Sequence, residues 1–426
     1  MNKIAMILPN AFPVPAIKGG AVETLATHLI NENEKEKRLK LIIFSIWNEE
    51  AKLKSLEYEN TDIHYIKVPF NTYIEKLKGK WIAFSKKMLE RPNFIKKCLV
   101  YGILKIMNIN SKIYIHKIYK ELKKISFDYL IIEGGNIEYY YKTLKKISLN
   151  QKAVHLHSQT IPNRMLAENF QYYITVSEYV KRELVKDNMI EATRVKVLEN
   201  CINIQDFNKE ITKEERRNIR HSLGIREEDI VIIFCGRTVK EKGIKELIQA
   251  YKNLNKYENT KLLIVGNSQF GNQIKTTYDM ELQELVNSIK ENIIFTGFIA
   301  NEEIFKMYQS ADISVVPSIW EEAFGLVLIE AMQSKLPVIT TNSGAIPEIV
   351  SNESAYIINR DEKMIENITN RLRELIEEPE KRKQMGKIGY QISQKYNTKR
   401  YYREFVEIIQ EIDKNEDRNT DISKCP

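Results

Sequence analysis

The sequence predicts an α/β protein built of two successive doubly wound domains, on three observations. Short apolar runs alternate with longer amphipathic stretches, the pattern of strands separated by helices in a parallel sheet. The alternation runs once and then restarts. The chain has 426 residues, 43% hydrophobic and 29% charged, which is globular composition and enough for two full cores.

The first series opens at the N-terminus. KIAMILP reads as a buried strand and AVETLATHLINENEKE as the helix after it. KLIIFSI, DIHYIKV, YLIIEGG, KAVHLHS and YYITVSE follow as strands. The opening MNKIAMILPNAF has the flavour of a leader peptide, but its apolar stretch is short, Pro9 interrupts it and no small-residue cleavage site follows cleanly. A first strand is the better reading.

From about 71 to 124 the chain changes character. This stretch, which includes WIAFSKKMLERPNFIKKCLVYGILKIM, is helical, basic and aromatic. It fits a membrane-surface or acceptor-docking element, and equally an ordinary helical insertion with a solvated basic face. The polar INIQDFNKEITKEERRNIR then reads as the linker.

The second series is DIVIIFCGR, TKLLIVGN, NIIFTGF, DISVVPS, LPVITTN and SAYIINR, with helices such as KGIKELIQAYKNLNK and NEEIFKMYQSA between them. The expected organisation is an N-terminal domain over 1–205 with the insertion at 71–124, a C-terminal domain over 206–395, and a closing stretch over 396–426.

Bulk properties limit the partners. A net charge of +8 and a pI near 8.9 favour anionic ligands or an anionic membrane surface, and are too modest to argue for nucleic acid. Cys98, Cys201, Cys235 and Cys425 lie far apart, so neither a zinc site nor a disulfide framework is expected, and a reducing compartment is. No apolar run reaches the roughly 18 residues of a membrane span. A cytoplasmic protein is expected, with a peripheral membrane contact left open.

The chemistry-bearing residues follow the strands. Glu322 and Glu330 stand eight residues apart in WEEAFGLVLIEAM, after the strand ISVVPS. Helical spacing separates them by about 12 Å. That is too far for a glycosidase pair or for one metal ion, but suits a long ligand with hydroxyls at both ends and phosphates between. The amides of Phe324, Gly325 and Leu326 begin a helix and offer an anion seat. FCGRTVKEKG follows another strand; Gly236 permits its turn, and Arg237 and Lys242 bring two cations to a strand end. In the first domain, Gly19 and Gly20 precede a helix, where backbone can approach a phosphate or sugar. His155 and His157 share one face of a strand, with His157 at its end. Each has a bland alternative: a solvated glutamate, surface cations in a lysine-rich chain, a satisfied buried histidine.

Taken together, GRTVKEKG, IIFTGFIANEEIFKMYQSADISVVPSIWEEAFGLVLIEAM, TTNSGAIPEIV and VHLHS resemble the retaining nucleotide-sugar glycosyltransferases of family 4. The resemblance covers nearly the whole chain and is strongest from Val231 to Val350. KVLENCINIQDF resembles the family's interdomain segment, although Cys201 and Asn203 stand where Gly and Asp are usual. Spore-coat and cell-wall members are closest in flavour.

The resemblance implies the GT-B fold, two Rossmann-like domains facing across a cleft, with the C-terminal helix crossing back to the first domain. It makes the first domain the acceptor side and the second the nucleotide-sugar side. It implies that Arg237 and Lys242 bind the donor diphosphate and that Glu322 holds a sugar hydroxyl, aided by the amides of Phe324 to Leu326. Glu330 would bind the ribose and the backbone of Ile299 the base. Gly236 would shape the turn, Gly19 and Gly20 would approach the phosphates, and His157 would touch the sugar.

The expected activity is retaining transfer from a nucleoside-diphosphate sugar, a UDP-sugar before others, to an unidentified glycan, lipid-linked or protein acceptor. Neither a cofactor nor a metal is expected, since the chain has no Asp-x-Asp triplet. A catalytically silent coat or scaffold protein and a sugar-nucleotide epimerase are the alternatives.

Overall fold

The computed structural model describes residues 1–17, 19–69, 109–135, 137–147, 152–158, 170–188, 190–254, 256–266, 277–287 and 292–422. They fall into two compact units. The first comprises the described residues up to Cys201 together with those from Asn397 onward; the second runs from Ile202 to Tyr396.

The first unit is built on a seven-stranded sheet of order β3-β2-β1-β4-β5-β6-β7. Its strands are β1 (Lys3–Ile7), β2 (Lys40–Ile46), β3 (Thr61–Ile66), β4 (Tyr129–Glu133), β5 (Lys152–Leu156), β6 (Tyr172–Thr175) and β7 (Val195–Val197). Every neighbouring pair is parallel. Apolar runs such as KIAMI and YLIIE are buried on both faces because helices cover both sides of such a sheet.

The period of two divides β1 between two cores. Ile4 and Met6 pack with Leu25 and Leu29 of the Ala21–Glu36 helix, and Ala5 and Ile7 pack with Tyr114, Ile115 and Ile118 on the other face. Residues 109–122 are helical, and the buried Tyr114 hydroxyl lies 3.1 Å from both the Leu8 and Phe44 carbonyls. This end of the expected basic insertion is therefore core. The rest of it, 71–108, lies outside the described residues.

The Thr398–Ile422 helix belongs to the first unit, as the sequence predicts for a C-terminal helix that crosses back. Tyr402, Phe405 and Ile409 enter the core beside Leu25 and Leu29. The Tyr402 hydroxyl donates to Asn33 Oδ1 at 2.8 Å, and Arg400 pairs with Glu199 at 2.7 Å. In the second unit, the Ile202 amide donates to the Tyr396 carbonyl at 3.0 Å.

The second unit carries a six-stranded sheet of order β10-β9-β8-β11-β12-β13. These are β8 (Ile230–Cys235), β9 (Thr260–Val265), β10 (Ile293–Gly297), β11 (Ile313–Val316), β12 (Val338–Thr341) and β13 (Ala355–Ile358), again all parallel. All six were legible as apolar runs. The stretch read as a linker belongs to this unit from Ile202 and ends in a helix, Lys213–Ser222, opened by a Thr212/Glu215 capping box. Its cations have a reason to pack: Asp312 pairs with Arg216 at 3.0 Å and with Arg220 at 2.6 Å.

Both sheets reverse direction of winding once, between β1 and β4 and between β8 and β11. In an open α/β sheet that reversal opens a crevice at the carboxyl ends of the strands, where ligands bind. Among the described residues no helix is long and apolar enough to cross a membrane.

Candidate active site

In the second unit the predicted residues leave the two strands that flank the reversal. After β8, Gly236 takes φ 144°, and its amide donates to the Val265 carbonyl at 2.9 Å. Arg237 is exposed just beyond. A single 3-10 turn, Lys240–Lys242, ends at Gly243, which has φ 67° and starts the Ile244–Lys252 helix. A Cβ on Gly243 would lie 1.8 Å from the Pro317 carbonyl oxygen, so only glycine lets this loop press on the one after β11. The Ile319 amide ties the two loops by donating to the Glu241 carbonyl at 3.0 Å.

That packing brings Lys242 Nζ to 2.6 Å from Glu322 Oε1. The Ser318 hydroxyl donates to the same oxygen. The Glu322 backbone is held as well: its amide donates to Ser343 Oγ at 3.2 Å, and its carbonyl accepts from the Ala345 amide at 2.8 Å. Lys242 Nζ also stands 5.7 Å from the centre of the exposed Trp320 ring. Glu322 is thus a buried carboxylate fixed by a cation and a hydroxyl, with an aromatic side chain at the rim.

Glu330 lies one turn from the end of the Leu326–Gln333 helix, which starts at Gly325 with no side-chain cap. Phe324, the residue before it, is buried edge-on against Tyr396 at 5.8 Å. Glu330 is half-buried and accepts a hydrogen bond from the Tyr308 hydroxyl at 3.0 Å. Burial pushes its carboxyl up to about 7, against the opposing pull of Tyr308. Cys235, at the end of β8, is pushed up to about 12 by burial and then by Glu330, so its thiol is unreactive at neutral pH. The two glutamates occupy opposite environments, one paired with a cation and the other with a phenol. Ile299 is half-buried in the turn between β10 and the Asn301–Gln309 helix, next to the exposed Phe298.

In the first unit, Gly19 (φ 77°) and Gly20 (φ 100°) carry the chain from the β1 side into the Ala21–Glu36 helix. A Cβ on Gly20 would lie 2.4 Å from Glu23 Oε2. Glu23 is buried in the first turn of that helix, and burial raises its carboxyl to about 7 although the Glu23 and Phe12 amides bind it.

His157 follows β5, and His155 lies inside it. Both reach Glu133 at the end of β4: His155 Nδ1 is 2.9 Å and His157 Nε2 is 2.8 Å from the same oxygen, Oε2. The two rings are 4.0 Å apart. Burial alone would raise the Glu133 carboxyl, but the two histidines outweigh it and hold the group at about 2. Burial, followed by His155, lowers His157 to about 4, so its ring is neutral at pH 7. Among the described residues, Glu133, His155 and His157 are also close enough for one metal ion; the sequence reading expects none.

The second unit therefore brings Arg237, Lys242, Glu322 and the start of the Leu326–Gln333 helix to one sheet edge, with Glu330 inside the same helix. The first unit brings Gly19, Gly20 and His157 to the carboxyl edge of its own sheet. Sequence reasoning missed Glu133, Ser318, Ser343 and Tyr308. Glu133 had a signal: a lone carboxylate closing an apolar strand before Gly134 and Gly135, both with positive φ.

Residues 215–392 match the family model for Glycosyl transferases group 1. This part of the chain is similar to the domain that defines that family. The domain spans β8 to β13 and contains Arg237, Lys242, Glu322 and Glu330.

An uncharacterized glycosyltransferase of Methanocaldococcus jannaschii is 33% identical over 180 residues, 42% of this chain and 44% of that protein. Spore coat protein SA of Bacillus subtilis is 24% identical over 399 residues, 90% of this chain and 93% of that protein. Among solved structures, Anabaena HepE in complex with UDP-glucose has a TM-score of 0.69 at 16% identity, covering 96% of this chain and 99% of that one. The fold of two parallel-sheet α/β units is thus shared with GT-B glycosyltransferases along nearly the whole chain.

Proposed function

We propose that the protein is a retaining, metal-independent glycosyltransferase of family 4. It moves a sugar from a nucleoside-diphosphate sugar, UDP-sugars first, to an acceptor in coat, cell-surface or polysaccharide biosynthesis. The observation that carries this is the Lys242–Glu322 pair at the β8/β11 reversal, inside the glycosyltransferase group 1 domain. The UDP-glucose bound to a protein of the same fold supports the choice of donor.

The proposed chemistry follows from charge. Breaking the bond between sugar and diphosphate leaves positive charge on the sugar and negative charge on the leaving phosphate. Arg237, Lys242 and the uncapped N-terminus of the Leu326–Gln333 helix are donors for that negative charge, in a site where their orientation is set in advance. When the diphosphate takes Lys242, Glu322 is released to accept a hydrogen bond from a sugar hydroxyl, with Ser318 still orienting it. Glu330 accepts from the ribose hydroxyls, the backbone at Ile299 meets the base, and Gly20 and His157 take the phosphate side and a sugar hydroxyl. The acceptor attacks the face that the diphosphate leaves, and the departing phosphate takes its proton. Metal independence rests on the two cations and on the lack of an Asp-x-Asp triplet. A cytoplasmic location fits a nucleotide-sugar donor.

A thermal-shift panel of UDP, GDP and ADP and their sugars tests the reading, because a ligand that binds only the native state raises its stability. One nucleotide series should raise Tm, and Lys242→Ala should abolish turnover of its sugar. A panel with no shift and no turnover overturns it.

A further inference from the structure

We propose that Tyr308 is a positioning residue for nucleotide recognition: its hydroxyl grips one oxygen of Glu330 and leaves the other, Oε1, to accept hydrogen bonds from the paired hydroxyls of a ribose. The ligand class is then a ribonucleoside diphosphate in preference to a form without the diol. The proposal rests on the reading above in taking Glu330 as the ribose contact; what is new is the role of Tyr308 and the sugar discrimination that depends on it.

Three elements of the second unit converge on this carboxylate. Glu330 comes from the Leu326–Gln333 helix, Tyr308 from the end of the Asn301–Gln309 helix, and Cys235 closes β8. Tyr308 is buried, with its ring 6.3 Å from that of Phe207. Its hydroxyl lies 3.0 Å from Glu330 Oε2 and 3.4 Å from the Val327 carbonyl. Those two acceptors stand three residues apart on one helix. A single phenol therefore folds the Glu330 side chain back along the preceding turn, the direction in which helical side chains lean. The Cys235 thiol faces both the phenol and the carboxylate. Glu330 is thus held at the carboxyl end of β8, where the reversal of the sheet opens its crevice.

Proton placement makes the grip one-way. An ionised carboxylate only accepts, so Tyr308 commits its single O–H to it. The Cys235 thiol, kept protonated by burial, donates in turn to the phenol oxygen. The order runs from thiol to phenol to carboxylate. Oε1 makes no hydrogen bond among the described residues, and Glu330 is half-buried rather than sealed. An open acceptor beside a filled one selects groups that carry protons, and a vicinal diol brings two.

The same contact keeps the acceptor charged. Burial raises the Glu330 carboxyl to about 7, and the Tyr308 hydrogen bond opposes that rise. Removing the hydroxyl moves the carboxyl further up, towards a protonated form that is a poorer acceptor. Among the described residues, the titratable groups that face it are Tyr308 and Cys235. Both are pushed upward by burial, so neither changes charge between about pH 6 and 9.

The test is calorimetric titration of the full chain with UDP and with 2′,3′-dideoxy-UDP across about pH 6 to 9, in wild type, Tyr308→Phe and Glu330→Gln. The two nucleotides carry the same diphosphate, so their affinity ratio cancels the titration of the phosphate itself. Where UDP does not bind, GDP and ADP with their dideoxy forms take its place. In wild type the ribose form should be favoured at least about tenfold at high pH, and the ratio should fall as pH drops through about 7. In Tyr308→Phe, UDP should bind about tenfold more weakly at pH 7 while the dideoxy form changes less than about twofold. The rise of the ratio should move to higher pH by at least about half a unit. Glu330→Gln should give a ratio that is flat with pH. Should Tyr308→Phe not fold, a fluorotyrosine in place of Tyr308 keeps the packing and donates more strongly, so the rise should move to lower pH.

A tyrosine that merely fills space would weaken both nucleotides alike. Equal weakening, no weakening of either, or an unmoved pH profile overturns the proposal and leaves the donor reading standing. A panel in which no nucleotide binds the wild type defeats the donor reading and this proposal with it.

Discussion

Lys242 Nζ and Glu322 Oε1 meet at 2.6 Å across 80 residues of sequence. They sit on the loops that leave the neighbouring strands β8 and β11. The cation and the carboxylate satisfy each other; under the proposed function a diphosphate takes Lys242 away and its arrival frees Glu322. The proposed function divides this preformed donor and acceptor between the two ends of a sugar–phosphate bond.

Lys242→Ala should therefore lower kcat for the donor by about 10²–10³, the usual effect of removing one preorganised charge donor. Stability should fall as well, by about 3 kcal/mol, because the buried Glu322 carboxylate is left with Ser318 but without its cation. Glu322→Gln keeps the Ser318 hydrogen bond and should bind nucleotide diphosphate at least as tightly as wild type while losing turnover. Calorimetric binding set beside initial rates separates the two roles.

The glycines around the site predict a graded series. Gly243→Ala puts a Cβ 1.8 Å from the Pro317 carbonyl, and Gly344→Ala puts one 2.1 Å from the Glu322 carbonyl. Each should cost more than about 3 kcal/mol and displace Glu322. Gly297→Ala has φ 72° but meets nothing within 4 Å, so only the backbone penalty of about 1 kcal/mol applies. Urea denaturation of the three variants checks the order; equal losses would mean that the close approach of the two loops is incidental.

Glu330 should make nucleotide binding depend on pH near neutrality. Its carboxyl titrates at about 7, and the ionised form is the better acceptor for ribose hydroxyls. Affinity for the free nucleotide should rise between about pH 6 and 8 and then level off. Glu330→Gln should flatten that profile. The measurement is isothermal calorimetry across the range.

Stability should respond to pH in two opposite ways. Glu23 and Glu330 are raised from 4.5 to about 7, so the native state holds protons that the unfolded chain has released. Their contribution is present below pH 4.5 and is lost as pH rises towards 7, by at most about 3 kcal/mol per group. His157 is lowered from 6.5 to about 4 and Glu133 from 4.5 to about 2, so their contributions are present at neutral pH and are lost on acidification. Glu23→Gln should stabilise the protein at pH 8 and shrink the limb between 4.5 and about 7 to the share of Glu330. His157→Gln should remove the limb between 6.5 and 4. Unfolding curves taken at a series of pH values test both.

Much of this was legible in the chain because parallel strands buried on both faces read as continuous apolar runs. All six strands of the second unit did so. β7 escaped because its three residues, VKV, are too few for any period to register. The helix at Lys213–Ser222 was taken for a linker because its surface is charged; the reason it packs, Asp312, lies about ninety residues away. The Glu322 and Glu330 signature stood out, but not the Ser318 and Ser343 contacts that hold Glu322 in place, since serines in a loop carry no pattern of their own. Glu133 was passed over for a different reason. It closed a strand that was otherwise apolar, and its two histidine partners come from the next strand, a relation that only the sheet creates.

The placement of the Thr398–Ile422 helix in the first unit bears on how the chain is made. Synthesis proceeds at about 5–20 residues per second, so the strands of the first sheet emerge tens of seconds before Tyr402 and Phe405 leave the ribosome. Until then the apolar side of Leu25 and Leu29 lacks its cover. The second unit, whose described residues all lie between Ile202 and Tyr396, can fold during that interval. The first-made half of the protein is thus the last to be finished, and a nascent chain stalled within the second unit leaves Leu25 and Leu29 without the side chains that cover them.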